Sequence, residues 1–223
     1  MKDWRFIYNH YVHHAKRIDG LLWDWPQPGM IVEHGEDFLN ETVLAKRERF
    51  IDVGANVGSW TLRASPYYHR VIAFEPNRRI YESLRRNIAL NRLRNVEPHN
   101  LAIDYTLGLT DQSILHSATP ADPMGLARVE TTTLDFENVI TKDSLVKLDV
   151  EGSALRVIKG GLRTITAYRP TIIVEVHLKD EASVPSLLPG YSWTKHYRPA
   201  PLSGDWLYRE NGKQVFLVGQ SGS

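Results

Sequence analysis

Two short runs of the chain, "VKLDVEG" at residues 146–152 and "IIVEVH" at residues 172–177, carry ionisable groups in a strict alternation. In an extended chain, residues two apart point to the same face. A strand through the first run therefore places Lys147, Asp149 and Glu151 on one side, and a strand through the second does the same for Glu175 and His177. Carboxylates beside an imidazole suit the removal of a proton from an acceptor hydroxyl. General-base help of this kind contributes typically about 10²–10⁴-fold. Lys147, in an otherwise apolar run, is expected to pair with Asp149 or Glu175. Asp149, Glu175 and His177 also form an oxygen-and-imidazole set that a divalent ion could use. The expectation is a site without a metal, with a divalent cation as the alternative.

A third run, "FIDVGANVGSW" at Phe50–Trp60, reads as a buried strand, a tight turn and a helix start. Asp52, Gly54, Ala55, Asn56 and Gly58 surround that turn. Dinucleotide folds need a second glycine here, because their backbone approaches a pyrophosphate closely. Asn56 stands in its place. Asparagine tolerates the left-handed conformation of the turn but crowds a phosphate. The loop therefore favours an adenosine-bearing cofactor without a pyrophosphate, and S-adenosylmethionine satisfies that description. Glu75, some 20 residues on, closes the next strand, where a carboxylate can accept both ribose hydroxyls. No "GxxxxGK[ST]" segment occurs, so a P-loop is excluded.

The elements that must position these residues follow from periodicity. Ile7, Tyr11, Ile18 and Leu22 predict an amphipathic helix over residues 3–22, ended by "WPQPG" at residues 25–29. A short strand "MIVEH" and a helix near residues 37–46 come next. From Phe50 the pattern alternates: strand "FIDVG", helix 57–64, strand "VIAFE", and a helix opened by Pro76 and Asn77 with Ile80, Leu84 and Ile88 on one face. "NVEPHNLAI" predicts a third strand, "SLVKLDV" a fourth and "PTIIVEVH" a fifth. The helix between the last two carries Leu155, Ile158 and Leu162, with Gly160-Gly161 loosening its end. This rhythm means a parallel sheet covered on both faces. Residues 105–139, centred on "TPADPMG", read as an insertion holding a hairpin and then "VETTTLDF". After Gly190 the chain turns β-like, and Asn211-Gly212 is a strong hairpin signal. The domain reading is a helical lead-in or lid over residues 1–48, an α/β domain over 49–218 with its insertion near 105–139, and a disordered tail over 219–223.

"FIDVGANVGSW", "VIAFEPN", "LAID", "TTTLD", "LVKLDVEGSALRVIKGG" and "PTIIVEVH" occur in an order that resembles the FkbM-type family of class I, S-adenosylmethionine-dependent methyltransferases. The resemblance runs from about Phe50 to His177, and "KLDVEG" with the following "KGG" is its most specific part. It implies a Rossmann-like, seven-stranded mixed sheet with the last strand antiparallel and helices on both faces. By resemblance Asp52, Gly54, Ala55, Asn56 and Gly58 contact the methionine end of S-adenosylmethionine. Glu75 holds the ribose, Asn77 belongs to the same cofactor set, and Asp104 lies near the adenine amino group. Asp149, Glu175, His177 and Lys147 form the catalytic set, with Trp60 and Glu151 on the acceptor side. The implied reaction is O-methylation of a sugar, a glycan or a glycosylated small molecule. The alternatives are N-methylation of a small molecule or nucleic-acid base, and a noncatalytic nucleotide-binding scaffold.

Composition narrows the partners. The 223 residues are 42% hydrophobic and 24% charged with a net charge of +1, ordinary for a soluble globular chain. The absence of cysteine excludes disulfides and thiolate zinc sites and fits a reducing compartment. No signal-peptide core and no apolar run of about 18 residues is present, so the expectation is a cytoplasmic protein without a membrane span. Arg78, Arg85 and Arg92, with Arg79 and Arg86, lie opposite the apolar face of their helix and read as a solvated surface. An "NPPY"-type segment for a flipped base is missing, with "DVEG" in its place, so a nucleic-acid acceptor is disfavoured. The adjacent His13-His14 pair lacks the spacing that would aim two rings at one metal. Trp4, Tyr8, Tyr11, Trp23 and Trp25 serve packing or an acceptor-side wall. The expected state is a monomer or a homodimer.

Overall fold

The computed structural model describes residues 15–24, 41–111, 128–199, 209–210 and 213–221. Strands β1 (Ala15–Ile18) and β2 (Leu21–Asp24) form an antiparallel hairpin in which Ile18 pairs with Leu21. The helix predicted over residues 3–22 is thus wrong from Ala15 onward. Asp19 and Gly20 both take positive φ, 49° and 81°, the two-residue turn that this dipeptide favours. That local signal outweighs the helical spacing of Ile18 and Leu22. Residues 3–14, "WPQPG", "MIVEH" and residues 37–40 lie outside the described residues; of the helix near 37–46, Glu41–Val43 is helical.

The central alternation follows. Strand β3 (Arg47–Val53) leads to helix α1 (Ser59–Ala64) and a 3₁₀ turn at Ser65–Tyr67. Strand β4 (Tyr68–Phe74), helix α2 (Arg78–Leu90) and strand β5 (Val96–His99) come next. Strands β6 (Ala102–Ile103), β7 (Gly108–Asp111) and β8 (Arg128–Thr132) precede the short helix α3 (Leu134–Glu137). Strand β9 (Ser144–Leu148) leads to helices α4 (Ala154–Lys159) and α5 (Leu162–Tyr168) and strand β10 (Thr171–Val176). A 3₁₀ turn at Lys179–Ser183 and helix α6 (Val184–Leu187) complete that half. Strands β11 (Tyr191–Pro199), β12 (Arg209–Glu210) and β13 (Lys213–Ser221) finish the chain.

The main sheet has the order β11-β13-β10-β9-β3-β4-β5, with β12 added on β13. Strands β3, β4, β5, β9 and β10 are parallel, and β13 enters antiparallel between β10 and β11. This is the seven-stranded mixed sheet that the resemblance implied. Successive strand residues feed opposite faces: Ile51 and Val53 join one core cluster, Phe50 the other. A sheet buried on both sides explains the continuous apolar runs. The chain reverses direction of winding at β3, whose neighbours are β4 and β9, and ligands bind at the carboxyl ends beside such a switch point.

Three boundaries differ from the sequence reading. The third strand divides: β5 stays in the main sheet, while β6 pairs with β8 in a separate sheet of order β6-β8-β7. Asn100 holds that break by donating to the carbonyls of Glu75 and Pro76, both at 2.9 Å. Part of "VETTT" is the second arm of the insertion hairpin, with Leu109 opposite Glu130; "TPADPMG" lies outside the described residues. The tail expected to be disordered from residue 219 is ordered to Ser221, which pairs with Tyr191. Glu210 pairs with Lys213 around Asn211-Gly212, as the hairpin signal requires. No helix among the described residues is long and apolar enough to cross a membrane.

Candidate active site

The turn after β3 depends on two close approaches. Gly54 has φ 82°, and a Cβ there would lie 1.8 Å from the Asp149 carbonyl oxygen. Gly58 has φ 100°, and a Cβ would meet Leu62 at 2.6 Å and Leu84 at 2.7 Å. The glycines therefore let the turn touch the end of β9 and let α1 pack on α2. Asn56, at φ 51°, takes the left-handed conformation and accepts from the Val57 amide at 2.7 Å. Its conformation, with that of Gly58, delays the helix start from Val57 to Ser59. The amides of Gly54 and Ala55 both donate to the Phe74 carbonyl at 3.0 Å, locking the turn to β4.

Two buried carboxylates face this turn. Asp52 is 1% exposed; its Oδ2 accepts from Thr61 Oγ1 at 2.6 Å, while Oδ1 has no hydrogen-bond partner among the described residues. Burial raises its pKa against the pull of Lys147. Glu75 accepts from the amides of Asn56 at 2.9 Å and Asn77 at 2.8 Å, one on each carboxylate oxygen. Burial pushes its pKa up to about 7, and those two amides only partly offset the shift. Each oxygen of Glu75 retains a second lone pair for a further donor. Asn77 itself caps helix α2, accepting from Arg79 at 3.0 Å and Ile80 at 3.3 Å.

Asp104 and Trp60 are both buried and held by their neighbours. Asp104 is gripped by Arg156 in a two-pronged pair, Nε at 2.9 Å and Nη2 at 2.6 Å, and Oδ1 also accepts from the Tyr105 amide at 2.7 Å. The Arg156 guanidinium covers the Tyr105 ring at 4.7 Å. Its hydrogen bond to Asp104 raises the arginine pKa further. A Cβ at Gly160 would lie 1.9 Å from the Asp104 carbonyl oxygen, so only glycine lets the end of α4 approach that backbone. The Trp60 ring is 3% exposed and packs in the core with Trp23, Val57 and Leu62.

The catalytic candidates converge at the carboxyl ends of β9 and β10, Lys147 and Glu175 within the strands and Asp149 and His177 just past them. Lys147 Nζ, 2% exposed, donates to Asp149 Oδ2 at 3.2 Å. His177 Nε2 lies 3.5 Å from Asp149 Oδ1 and 3.8 Å from Glu175 Oε1. His177 Nδ1 is 3.2 Å from the Glu175 carbonyl. A donating Nδ1 leaves Nε2 as the basic nitrogen, facing a carboxylate that stabilises the charged ring. Burial works to raise the Asp149 pKa, but Lys147 and His177, with hydrogen bonds from Lys147 and Glu175, hold it below the ordinary carboxylate value. Glu151 does not continue the alternation: β9 ends at Leu148, and Glu151 and Gly152 turn through positive φ, 44° and 99°. Candidate ligand atoms of Asp149, Glu175 and His177 lie within 4.8 Å of one another. A divalent ion there would meet repulsion from the Lys147 ammonium already beside Asp149.

Two further residues hold this cluster together. Glu181 is fully buried; one carboxylate oxygen accepts from the amides of His177 at 2.8 Å and Leu178 at 3.0 Å, the other from Ala154 at 2.8 Å. It thereby ties the His177 loop to the start of α4, behind Asp149. Gln214, also fully buried on β13, donates through Nε2 to Glu175 Oε1. Sequence patterning missed both, because Glu181 stands in a polar run and Gln214 belongs to a strand far along the chain. A glutamine opening the apolar run "VFLV" was the one available signal.

A family model, the methyltransferase FkbM domain, matches residues 52–196, the span that carries both the turn and the strand-end cluster. The chain belongs to the FkbM methyltransferase family. It is an S-adenosylmethionine-dependent methyltransferase by family. No curated protein matches the chain. Among solved structures, it resembles a methyltransferase FkbM from Methylobacillus flagellatus KT, with 17% identity and a TM-score of 0.55 over 77% of this chain and 43% of that one. This chain thus spans less than half of that protein. It also resembles a Pyrococcus abyssi tRNA (uracil-54, C5)-methyltransferase in complex with S-adenosyl-L-homocysteine, at 13% identity and TM-score 0.56, over 92% of this chain and 43% of that one. A precorrin-6y C5,15-methyltransferase from Geobacter metallireducens GS-15 matches at 15% identity and TM-score 0.51, over 83% of this chain and 87% of that one. Likenesses this distant establish the fold, and the family match establishes the reaction class.

Proposed function

We propose that this FkbM-family chain is an O-methyltransferase acting on a hydroxyl of a sugar, a glycan or a glycosylated small molecule. The observation that carries the reading is the position of His177 Nε2, 3.5 Å from Asp149 Oδ1 beside the switch point. The residues fit S-adenosylmethionine: Asp52 Oδ1 is buried without a partner in the turn, and Glu75 keeps free lone pairs on both oxygens. Asp52, Gly54, Ala55, Asn56 and Gly58 would hold its methionine end, Glu75 its ribose, and Asn77 and Asp104 the remainder of the nucleoside. Bound there, S-adenosylmethionine supplies an electrophilic methyl group. His177 Nε2 takes the acceptor hydroxyl proton, and Asp149 stabilises the imidazolium that results. Lys147 keeps Asp149 ionised. Glu175 orients the ring through its carbonyl, while Glu181 fixes the loop on which His177 sits. Holding the acceptor oxygen in line is the larger contribution, with effective molarities on the order of 10⁵–10⁸ M.

An imidazole base suits a neutral alcohol, which must lose a proton, better than an amine, which attacks through a free lone pair. That contrast favours O- over N-methylation. The test is an acceptor screen, sugars first, with a labelled methyl donor and product analysis. Label on a sugar oxygen, lost in His177→Ala at unchanged S-adenosylhomocysteine affinity, is the expected result. Label on nitrogen, or wild-type turnover in His177→Ala, would overturn it. We place the protein in the cytoplasm as a monomer or homodimer.

A further inference from the structure

Helix α2 carries two buried or half-buried asparagines four residues apart, Asn87 and Asn91, and both reach the backbone of β2. Asn91 Oδ1 accepts from the Leu22 amide at 2.9 Å, and its Nδ2 donates to the Leu22 carbonyl at 2.7 Å. Asn87 Oδ1 accepts from the Asp24 amide at 2.8 Å. Four residues advance about 6 Å along a helix. Two residues advance about 6.8 Å along a strand. The side-chain amides therefore serve β2 as a neighbouring strand would. Arg86 adds an ion pair to Asp24, whose side chain is 6% exposed.

Asn87 has a second partner. Its Nδ2 donates to the Val57 carbonyl at 2.8 Å, and the residue is fully buried. Val57 stands between Asn56 and Gly58, both held at positive φ. One amide group therefore spans from the hairpin to the middle of the turn assigned above to S-adenosylmethionine. The apolar side repeats the connection, since Trp23 of β2 shares a core cluster with Val57 and Trp60. Asparagine tolerates the left-handed conformation at residue 56 without requiring it, so neighbouring contacts are what hold the turn in that one form.

The geometry points to Asn87 as a positioning residue that couples docking of the β1–β2 hairpin to the cofactor turn. Hairpin docking holds the turn in its binding conformation, and cofactor in turn tightens the hairpin, because coupling between two sites is reciprocal. The inference rests on the reading of this turn as the cofactor site. It also gives the N-terminal segment a function other than covering the acceptor.

Two measurements on the full chain test it, with S-adenosylhomocysteine as the probe: calorimetric affinity, and amide hydrogen exchange at Leu22 and Asp24. Saturating probe should slow exchange at both amides about fivefold or more. Asn91→Leu and Arg86→Met touch the hairpin and leave the turn's own hydrogen bonds intact. Each should weaken binding about three- to tenfold, the range expected for a lost hydrogen bond transmitted in full or in part. Asn87→Asp keeps an acceptor for Asp24 but sets an oxygen against the Val57 carbonyl, and should cost more than either. A thermal melt identifies any variant that has failed to fold, and Arg86→Met, which leaves both asparagine bridges in place, is the variant that decides in that event. Unchanged exchange with probe, together with wild-type affinity in the folded hairpin variants, overturns the coupling. A wild-type chain that does not bind the probe overturns the cofactor reading of the turn, and the coupling with it.

Discussion

Glu75 and Asp149 close neighbouring parts of the same sheet, yet their carboxylates are held in opposite ways. Glu75 meets two backbone amides and, among the described residues, no cation, and burial raises its pKa to about 7. Asp149 is also buried in part, but Lys147 and His177 lower its pKa. Dipoles soften the desolvation of a charge, whereas a full opposite charge reverses it. In the proposed site, the cofactor end is thus built from a carboxylate that can be neutral at rest, and the acceptor end from one that stays ionised. The first arrangement suits ribose hydroxyls that arrive with the ligand. The second suits an imidazole that becomes charged, as the proposed reaction requires of His177.

The contrast can be broken where the two ends touch. Gly54→Ala places a Cβ against the Asp149 carbonyl in a backbone conformation that L residues avoid. It should cost more than about 3 kcal/mol, by overpacking and strain together, and abolish probe binding; urea unfolding with calorimetry checks both. Lys147→Met removes the cation and should make Asp149 behave as Glu75 does. Stranding a largely buried carboxylate costs about 3 kcal/mol, and the Asp149 pKa should rise in a carboxyl NMR titration. A titration unchanged from wild type would mean that Lys147 is not the source of the shift.

Acidity sharpens the comparison, because the two groups contribute slopes of opposite sign. The native pKa of Glu75 lies above its ordinary 4.5, so the folded form binds the extra proton. Its contribution is fully present below about 4.5 and is lost as pH rises through about 7, a change on the order of 3 kcal/mol. Asp149 acts the other way, adding stability above its ordinary 3.8 that is lost as pH falls through its lower native value. Urea midpoints at pH 5 and 8 should therefore show a decline that Glu75→Gln removes. The same proton competes with ribose, so probe affinity should weaken on acidification below about pH 7 in wild type and flatten in that variant. The smallest effect belongs to Glu181→Gln, which keeps one acceptor and loses the other. A cost of about 1–2 kcal/mol is expected in urea unfolding, with faster amide exchange at His177 and Leu178 and probe affinity within about twofold of wild type.

Much of this was legible in the sequence. The strand–helix alternation, the turn chemistry of Asn56 and the strand-end grouping of Lys147, Asp149, Glu175 and His177 are local properties. Each follows from periodicity or backbone preference within a few residues. Alternation also explains where the reading stopped: it carried Glu151 onto a strand that has already turned. Helical spacing misled at Ile18 and Leu22, where Asp19-Gly20 sets a hairpin instead.

What the sequence by itself determined is the parallel sheet, the glycine-and-asparagine turn after its first strand, and the chemical types gathered at the strand ends. Only the tertiary structure decided which partner each of those groups meets. Trp60 became core, Asp104 was taken by Arg156, and Glu181, Gln214 and Asn87 proved to be the residues that hold the site's loops in place. The physical reason is that buried polar groups must be satisfied, and their partners come from segments distant in the chain. Local patterning records which side chains want a partner, and packing assigns it.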